Sequence, residues 1–428
     1  MTSLPRQVLV EPHVEHHALA DPSLELAQRL TDSWADEDWA GRRVVVAVGS
    51  RGIDRIALLA RTVVEWLRAR GASPFLIPAM GSHGGGTPDG QLALLESYGI
   101  TADAVGAPIE ASMDVREVGR TPSGVRAVTS VHALGADALI LLNRIKPHTD
   151  FDSEAAGSGL LKMSAIGLGK IEGAFTCHWA ASTLGHERVI REVSAVVLAR
   201  LPRVYGVAVV EDGSHRIGRI ALLRGSEMHD REPPLLALAR SWMPSLPFDR
   251  ADVLIVDEIG KDISGTGMDT NVVGRGVDLL PMQNRRCVVR IIYVRGLTTG
   301  SHGNAVGLGL ADFVSSRLVD QMDPAITYTN AVSAMTPATA RVPMHFPTDE
   351  ACLRAALRTS AADPAGPRLL RIRNTLALDR IVASEAYMPE IEGRDDLSLV
   401  VPPGEWRFDR GGNFDPATDL LAEALARP

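Results

Sequence analysis

The segment from His148 to His178 concentrates residues that can do chemistry in this chain of 428 residues. It contains two histidines, a residue type that exchanges protons near neutral pH and binds borderline metals. It also contains Lys162, inside the apolar run LLKMSAIGLG. A lysine with apolar neighbours loses solvation and can become a nucleophile. The segment therefore has the parts for a proton relay, a covalent attachment and a metal ligand.

Strands and helices must position these residues. Short β-branched runs alternate with stretches of helical periodicity, which predicts an α/β layer with a mainly parallel sheet. We predict strands at 44–50, 74–80, 138–143 and 204–211, and helices at 24–34 and 179–201. Ligands bind in open α/β sheets outside the carboxyl ends of the strands, so the loops after these strands are candidate sites.

The stretch 231–250 is rich in proline and precedes a fresh strand, ADVLIVDEIG. We therefore place a domain boundary near residue 247. The predicted fold is two α/β domains, residues 1–247 and 248–405, with a cofactor and substrate cleft between them. Residues 415–426 are expected to be helical, and the tail 406–428 could pack back on the first domain.

Composition excludes several classes of protein. The chain is 45% hydrophobic and 22% charged, which is ordinary for a globular protein. A net charge of −8 without a basic cluster argues against a nucleic-acid binder. No uncharged apolar run reaches the roughly 18 residues of a membrane span, and the N-terminus lacks the apolar region of a signal peptide. The three cysteines form no CxxC pair, so we expect a cytoplasmic enzyme without a disulfide framework.

Two loops after predicted strands carry candidate ligands. In GSRGIDR, Ser50 could cap the next helix, whose free N–H groups attract anions, and Arg51 could grip a carboxylate. A solvated arginine at a helix start is the alternative. In AMGSHGGGTPDGQ, His83 precedes three glycines, which let a backbone approach a ligand closely. The alternative there is a flexible turn with an incidental histidine.

The remaining candidates have structural alternatives of their own. Lys162 could be a surface lysine, although its surroundings are too apolar for that, and His178 could be a histidine in a core crevice. In the second domain, Lys261 and Arg275 could bind an anion or serve as structural charges. The sequence GLGKIEG does not have the GxGxxG spacing, so we reject a dinucleotide site.

Taken together, the motifs PAMGSHGG, IKPHTDF, SGLLKM and IGLGK resemble those of the lactate racemase family, and of its racemase-like branch in particular. The resemblance spans most of the chain in motif order and spacing. It implies a nickel-pincer nucleotide, a pyridinium mononucleotide with two sulfur arms and a nickel–carbon bond. Separate proteins would make this cofactor, so cofactor-biosynthesis proteins are implied partners.

Residue roles follow from the resemblance, position by position. Lys162 matches the lysine joined to the cofactor through a thioamide, and His178 matches the nickel ligand. His83 and His148 match the two acid/base histidines. Arg51 matches an arginine that helps to hold substrate near the cofactor. Ser50 is assigned to the cofactor site as well.

The chain also departs from the family. The family's Asp-x-Thr-Arg becomes Val48-Gly49-Ser50-Arg51, without the acidic residue, and His148 lies farther from Lys162 than in the lactate enzyme. Two substrate ligands of the second domain have no secure match, and Lys261 and Arg275 are our substitutes. Since these changes concern the substrate, lactate itself is in doubt.

The resemblance implies racemisation or epimerisation of a 2-hydroxy acid by proton-coupled hydride transfer. Imidazole suits the proton steps because its unperturbed pKa, about 6.5, lies near working pH. Two alternatives stay open. The same cofactor could support net oxidoreduction or epimerisation of a sugar acid, or the chain could be a non-catalytic protein that binds the cofactor.

Overall fold

The computed structural model describes residues 4–49, 52–283, 285–363 and 366–421. The chain divides into two compact units. We call Glu15–His148 with Ser153–Met243 the central unit. The terminal unit consists of the chain up to Val14, the short insertion Thr149–Asp152 and the chain from Pro244 onward.

Strands of both units together number fifteen in the described residues. Their bounds in chain order are β1 (Gln7–Pro12), β2 (Arg43–Val48), β3 (Ser73–Pro78), β4 (Val115–Arg120), β5 (Arg126–Ser130), β6 (Ala138–Arg144), β7 (Val204–Glu211), β8 (Ile217–Arg224), β9 (Arg250–Val256), β10 (Val288–Val294), β11 (Phe313–Ser315), β12 (Met344–Phe346), β13 (Leu369–Ile372), β14 (Ile381–Ser384) and β15 (Leu397–Gly404).

The α-helices of the described residues are mostly short. Their bounds are α1 (Pro22–Trp34), α2 (Ile56–Arg68), α3 (Pro88–Ser97), α4 (Ala102–Val105), α5 (Val131–Leu134), α6 (Leu160–Lys162), α7 (Lys170–Leu184), α8 (His186–Arg200), α9 (Met228–Trp242), α10 (Thr270–Val273), α11 (Ser316–Gln321), α12 (Pro324–Ser333), α13 (Asp349–Thr359) and α14 (Met388–Ile391). None of the helices in the described ranges combines the length and apolar character that spanning a bilayer requires.

The central unit is built on a five-stranded sheet in the order β3-β2-β6-β7-β8. The first four strands are parallel, and β8 returns antiparallel to β7. Their sequences are continuous apolar runs, the pattern of parallel strands covered on both faces. On one face, Leu30 of α1 and Leu59 of α2 pack with Val46 and Ile140 of the sheet. The parallel arrangement brings the carboxyl ends of β2, β3 and β6 to one edge.

The terminal unit contains an eight-stranded mixed sheet in the order β12-β11-β10-β9-β13-β14-β1-β15. Strands β9 to β13 run parallel where they pair, whereas β14, β1 and β15 pair antiparallel. Both units are therefore α/β structures, as the sequence predicts.

The first strand differs from its predicted place in a domain of residues 1–247. Strand β1 pairs with β14 and β15 in the terminal sheet, with Gln7 opposite Ser384. Its alternate residues Val8 and Val10 are fully buried in the core of that unit. Hydrophobic burial between segments far apart in sequence thus decides the assignment of this strand.

The tail also differs from its expected place on the first domain. Trp406, Phe414 and Leu421 join a core cluster of the terminal unit that includes Leu9 of β1. The carboxylate of Asp419 accepts hydrogen bonds of 2.8 and 2.7 Å from the buried guanidinium of Arg371. Packing and a buried ion pair together hold the described part of the tail on the terminal unit.

One helix prediction needs correction. The single helix expected at 179–201 is split into α7 and α8 at Gly185, whose φ of 82° interrupts the helix. The proline-rich stretch near the predicted boundary is partly helical, because α9 continues through Pro233 and Pro234 to Trp242.

Candidate functional site

The carboxyl edge of the parallel strands in the central unit opens into a cleft. Gly49 follows β2, the chain from Ala79 to His83 follows β3, and Asn143 and Arg144 end β6. The segment after residue 157 completes the walls. The lining residues are Gly49, Ala79, Met80, Gly81, Ser82, His83, Asn143, Arg144, Ser158, Gly159, Lys162, Met163, Ile166, Gly167, Ala174 and His178. Three of the predicted site residues, His83, Lys162 and His178, therefore meet in one cleft.

Lys162 ends the short helix α6 and is followed by a turn of π-helix, Met163–Gly167. Its neighbours Leu160 and Leu161 are fully buried, while Lys162 itself is half-buried. One oxygen of the buried Glu232 accepts hydrogen bonds from the backbone N–H groups of Leu160 (2.8 Å) and Leu161 (3.0 Å). Burial raises the pKa of Glu232 to about 7, against the lowering effect of these two hydrogen bonds.

In the cleft, a side chain at Gly49 would collide with Asn143. A Cβ there would lie 2.7 Å from the side-chain oxygen of Asn143. The side-chain nitrogen of Asn143 donates a hydrogen bond of 3.1 Å to the carbonyl oxygen of Gly159. Asn143 thus links the end of β6 to the segment that carries Lys162.

His178 lies on α7 and is half-buried. Its ring packs edge-on against His186, with the ring centroids 6.0 Å apart. The same helix leaves Ile171, Phe175 and Trp179 exposed, at 48%, 70% and 66%. Their i, i+4, i+8 spacing puts them on one helix face. A contiguous exposed apolar face of this kind is typical of a binding surface, and the sequence analysis missed it.

His83 is exposed at the start of a glycine turn, Gly84–Gly86, in which all three φ angles are positive. Gln91 on α3 binds the backbone just before this turn. Its side-chain nitrogen donates to the carbonyl oxygens of Gly81 (3.0 Å) and His83 (3.3 Å). Sequence reasoning assigned no role to Gln91 or to its neighbour Lys170. Both are buried next to the cleft without lining it, and only the folded chain reveals this.

The other predicted site residues lie elsewhere. His148 is buried in the loop after β6 and is not among the residues that line the cleft in the described chain, so its role stays a prediction. Ser50 and Arg51 lie outside the described residues.

Lys261 and Arg275 belong to the terminal unit. The ammonium group of Lys261 donates to the carbonyl oxygen of Gly265. Arg275 pairs with Asp312 at 2.9 Å and donates to the carbonyl oxygens of Leu310 (2.8 Å) and Arg290 (3.2 Å). These contacts make Arg275 a structural residue in this conformation. Its predicted contact with substrate stays a prediction.

The donor atoms around the cleft decide which cofactor would fit. Within the described ranges, no group of three or more His, Cys, Asp and Glu side chains could hold a metal ion. Burial raises the pKa of the Cys177 thiol, next to His178, to about 12. The cleft instead presents imidazole groups and one amine. This set fits a metal whose remaining ligands belong to an organic cofactor tethered to the protein.

Comparison with known proteins is informative for the fold. No protein-family model and no curated protein matches the sequence. The structure is similar to the lactate racemase apoprotein of Thermoanaerobacterium thermosaccharolyticum, with a TM-score of 0.54 and 12% identity over 88% of this chain and 99% of that chain. It is also similar to a protein of Thermotoga maritima, with a TM-score of 0.50 and 16% identity over 66% of this chain and 72% of that chain. At these identities the comparisons show that this chain has the α/β fold of a lactate racemase.

Proposed function

We propose that the chain is a racemase or epimerase of a 2-hydroxy acid and works with a nickel-pincer nucleotide tethered to Lys162. The observation that carries the proposal is the meeting of His83, Lys162 and His178 in one cleft of the central unit. The similarity of the fold to lactate racemase supports it.

Two residues would hold the cofactor. The amine of Lys162, which lines the cleft, would form the covalent link. An imidazole nitrogen of His178 would bind nickel, a metal that accepts imidazole ligands in square-planar sites. When bound, the cofactor would supply a reversible hydride acceptor for the carbon that carries the hydroxyl.

His83 would move the proton. A hydroxyl proton must leave before its carbon can release hydride, and a neutral imidazole can accept that proton. His83 is exposed at the rim of the cleft, where a substrate hydroxyl could reach it. We assign the opposite proton transfer to His148, so that each enantiomer meets its own base. Arg51, which the resemblance matches to an arginine that holds substrate, would orient the acid by charge-assisted hydrogen bonds.

The covalent link is tested by intact-protein mass after co-expression with the cofactor-biosynthesis proteins. The chain has only four lysines, Lys146, Lys162, Lys170 and Lys261, so peptide mapping can locate the adduct unambiguously. We expect an adduct on Lys162 in the wild type and its complete loss in Lys162→Ala. Lys146→Ala serves as the matched control and should keep the adduct. An adduct retained in Lys162→Ala would refute the tether.

The activity is tested with the loaded protein and a panel of 2-hydroxy acids, each supplied as one enantiomer. Chiral chromatography should show formation of the other enantiomer, and His83→Gln should lower that rate by about 10²–10⁴. His178→Ala should lose nickel by elemental analysis. Accumulation of a keto acid would point to an oxidoreductase. Inversion of sugar acids alone would point to a sugar-acid epimerase. A loaded protein that converts none of the acids would be a cofactor-binding protein.

A further inference from the structure

Lys170 is a buried lysine that pairs with no carboxylate among the described residues. Its side chain is among the largest fully buried ones in the described chain, at 1% exposure. Its ammonium group donates to the carbonyl oxygen of Pro78 (2.5 Å) and to the side-chain oxygen of Gln91 (3.2 Å). Burying a charged group is costly unless it is paired, so a lysine held only by neutral acceptors needs an explanation.

Two further observations show that this position is unusual. Lys170 has a left-handed backbone with a φ of 54°, which costs a residue with a Cβ on the order of 1 kcal/mol. The chain has 44 basic residues, of which only four are lysines, and three of these lie between residues 146 and 170. Apart from Lys261, the basic residues outside this segment are arginines, whose planar group is larger. A compact ammonium on a flexible stem therefore suits the space at residue 170.

Lys170 determines the orientation of Gln91. A lysine ammonium is a donor only, so the oxygen of the Gln91 side chain must face it. The nitrogen of Gln91 is then directed to the carbonyl oxygens of Gly81 and His83. Gln91 is fully buried, so this orientation has no competition from water.

Within the loop, the backbone N–H groups of His83 and Gly86 donate to the carbonyl oxygens of Met80 (3.1 Å) and His83 (3.3 Å). Gly81, Gly84, Gly85 and Gly86 all have positive φ, a conformation that glycine adopts readily but does not enforce. One backbone hydrogen bond of 3.1 Å, from Gly81 to Gly167, ties the start of the loop to the segment after Lys162. The side chains of Gln91 and Lys170 supply the other buried anchor.

We propose that Lys170 and Gln91 are positioning residues that place His83 relative to the helix carrying His178. Lys170 is the first residue of α7, and through Gln91 it reaches the backbone of His83. The catalytic meaning of this placement rests on the proposed function, whereas the placement itself can be tested in the apoprotein. Neither residue touches the cleft in the described chain, so both act through His83.

Gln91→Glu is the most informative variant. The carboxylate keeps the size of the side chain and pairs with Lys170, so the fold should survive. It has no N–H to donate, so it would repel the carbonyl oxygens of Gly81 and His83. Gln28→Glu is the charge-matched control, because Gln28 is exposed on α1. Lys170→Met removes the ammonium group that orients Gln91. If Gln91→Glu fails to fold, Gln91→Asn, which is one methylene shorter, is a milder change.

The readout is the imidazole signal of His83 in NMR spectra of the apoprotein, assigned by its loss in His83→Gln. We expect this signal to shift and broaden in Gln91→Glu and in Lys170→Met. It should be unchanged in Gln28→Glu. The signal of His132, whose ring is held by Glu110 at 2.7 Å in the same unit, should stay constant in all variants. An unchanged His83 signal in folded Gln91→Glu or Gln91→Asn would overturn the proposal.

The loaded enzyme gives a second readout. Gln91→Glu should lower kcat by about tenfold or more while KM changes little, since a misplaced base impairs proton transfer more than binding. If His83→Gln turns out fully active, the proposed function of His83 fails. The positioning would still stand if Gln91→Glu shifts the His83 signal, so the two failures can be told apart.

Discussion

The backbone N–H of Leu160 donates a hydrogen bond of 2.8 Å to the carboxylate of Glu232, 72 residues farther along the chain. The same oxygen also accepts from Leu161. The second oxygen of Glu232 has no hydrogen-bond partner in the described residues, and it lies too close to Gly159 for that residue to carry a Cβ without a shift. A buried carboxyl group on α9 thus holds the first turn of the helix that ends at Lys162.

This carboxyl group should make stability depend on pH. Its pKa is raised to about 7 in the folded protein, whereas an unfolded glutamate titrates near 4.3. Between these values the folded state keeps a proton that the unfolded state has lost. The free energy of unfolding therefore falls as pH rises through this window. In Glu232→Gln, the decrease in the free energy of unfolding over this pH window should be smaller by about 1–3 kcal/mol.

Urea unfolding at pH 5 and pH 8 measures this contribution. The difference between the two free energies of unfolding should be smaller in Glu232→Gln than in the wild type. Because the other titrating groups are the same in both proteins, their contributions cancel. Equal differences would show that Glu232 has an ordinary pKa in the folded state.

Lys170 should produce the opposite dependence at higher pH. Burial lowers its pKa to about 8, whereas an unfolded lysine titrates near 10.4. Between these values the unfolded state holds the extra proton, so the free energy of unfolding rises with pH. We expect the wild type to gain about 1–3 kcal/mol relative to Lys170→Met between pH 7.5 and pH 10. Parallel stability curves for the two proteins would contradict the lowered pKa.

The glycine turn after His83 offers a matched pair of substitutions. Gly84 and Gly85 have nearly equal φ angles of 65° and 68°. A Cβ on Gly84 would lie 2.5 Å from the backbone carbon of Gly90, whereas a Cβ on Gly85 would meet nothing within 4 Å. Gly85→Ala should cost roughly 1–2 kcal/mol, the strain of a left-handed alanine.

Gly84→Ala carries the same strain and must also shift the backbone, so its cost should reach about 2–4 kcal/mol. It should displace His83 as well. Chemical denaturation and the His83 imidazole signal measure the two effects. Equal costs for both substitutions would mean that Gly84 and Gly90 are not in close contact.

Because Asp419 in the tail pairs with the buried Arg371, mutation of Asp419 should lower the stability of the protein strongly. Arg371 is 2% exposed and donates two hydrogen bonds of 2.8 Å to Asp257, besides those to Asp419. Asp419→Ala would leave part of this guanidinium buried without a partner. We expect a loss of about 3–5 kcal/mol, the cost of breaking a buried ion pair.

An exposed ion pair provides the control for this substitution. Glu65 pairs with Arg61 on α2, and both side chains are more than half exposed. Exposed pairs contribute little to stability, so Glu65→Ala should leave the urea midpoint nearly unchanged. If Asp419→Ala is equally mild, the described tail is not held by this ion pair.

Much of the central unit could be predicted from the sequence. Its parallel strands are continuous apolar runs, and a run such as VVVAV has few alternatives to a strand buried on both faces. The carboxyl ends of parallel strands meet at one edge. His83, predicted in a loop after a strand, lies in the cleft at this edge, and its chemical role stays a prediction.

Other features depended on contacts that sequence spacing does not encode. Strand β1 and the described tail both join the terminal unit, because Leu9 and Trp406 find a common core there. Gly185 divides a helical pattern that looked continuous, since one left-handed residue suffices to end a helix.

The amino-acid sequence by itself determined the fold class and which residues could do chemistry, because apolar periodicity and residue type are local properties. Only the tertiary structure decided what holds them. Glu232 supports the segment of Lys162, and Lys170 supports His83 through Gln91, in each case by a buried hydrogen bond to a backbone or side chain far along the chain. Such buried hydrogen bonds are important for stability, because a polar group removed from water must find its partner within the fold.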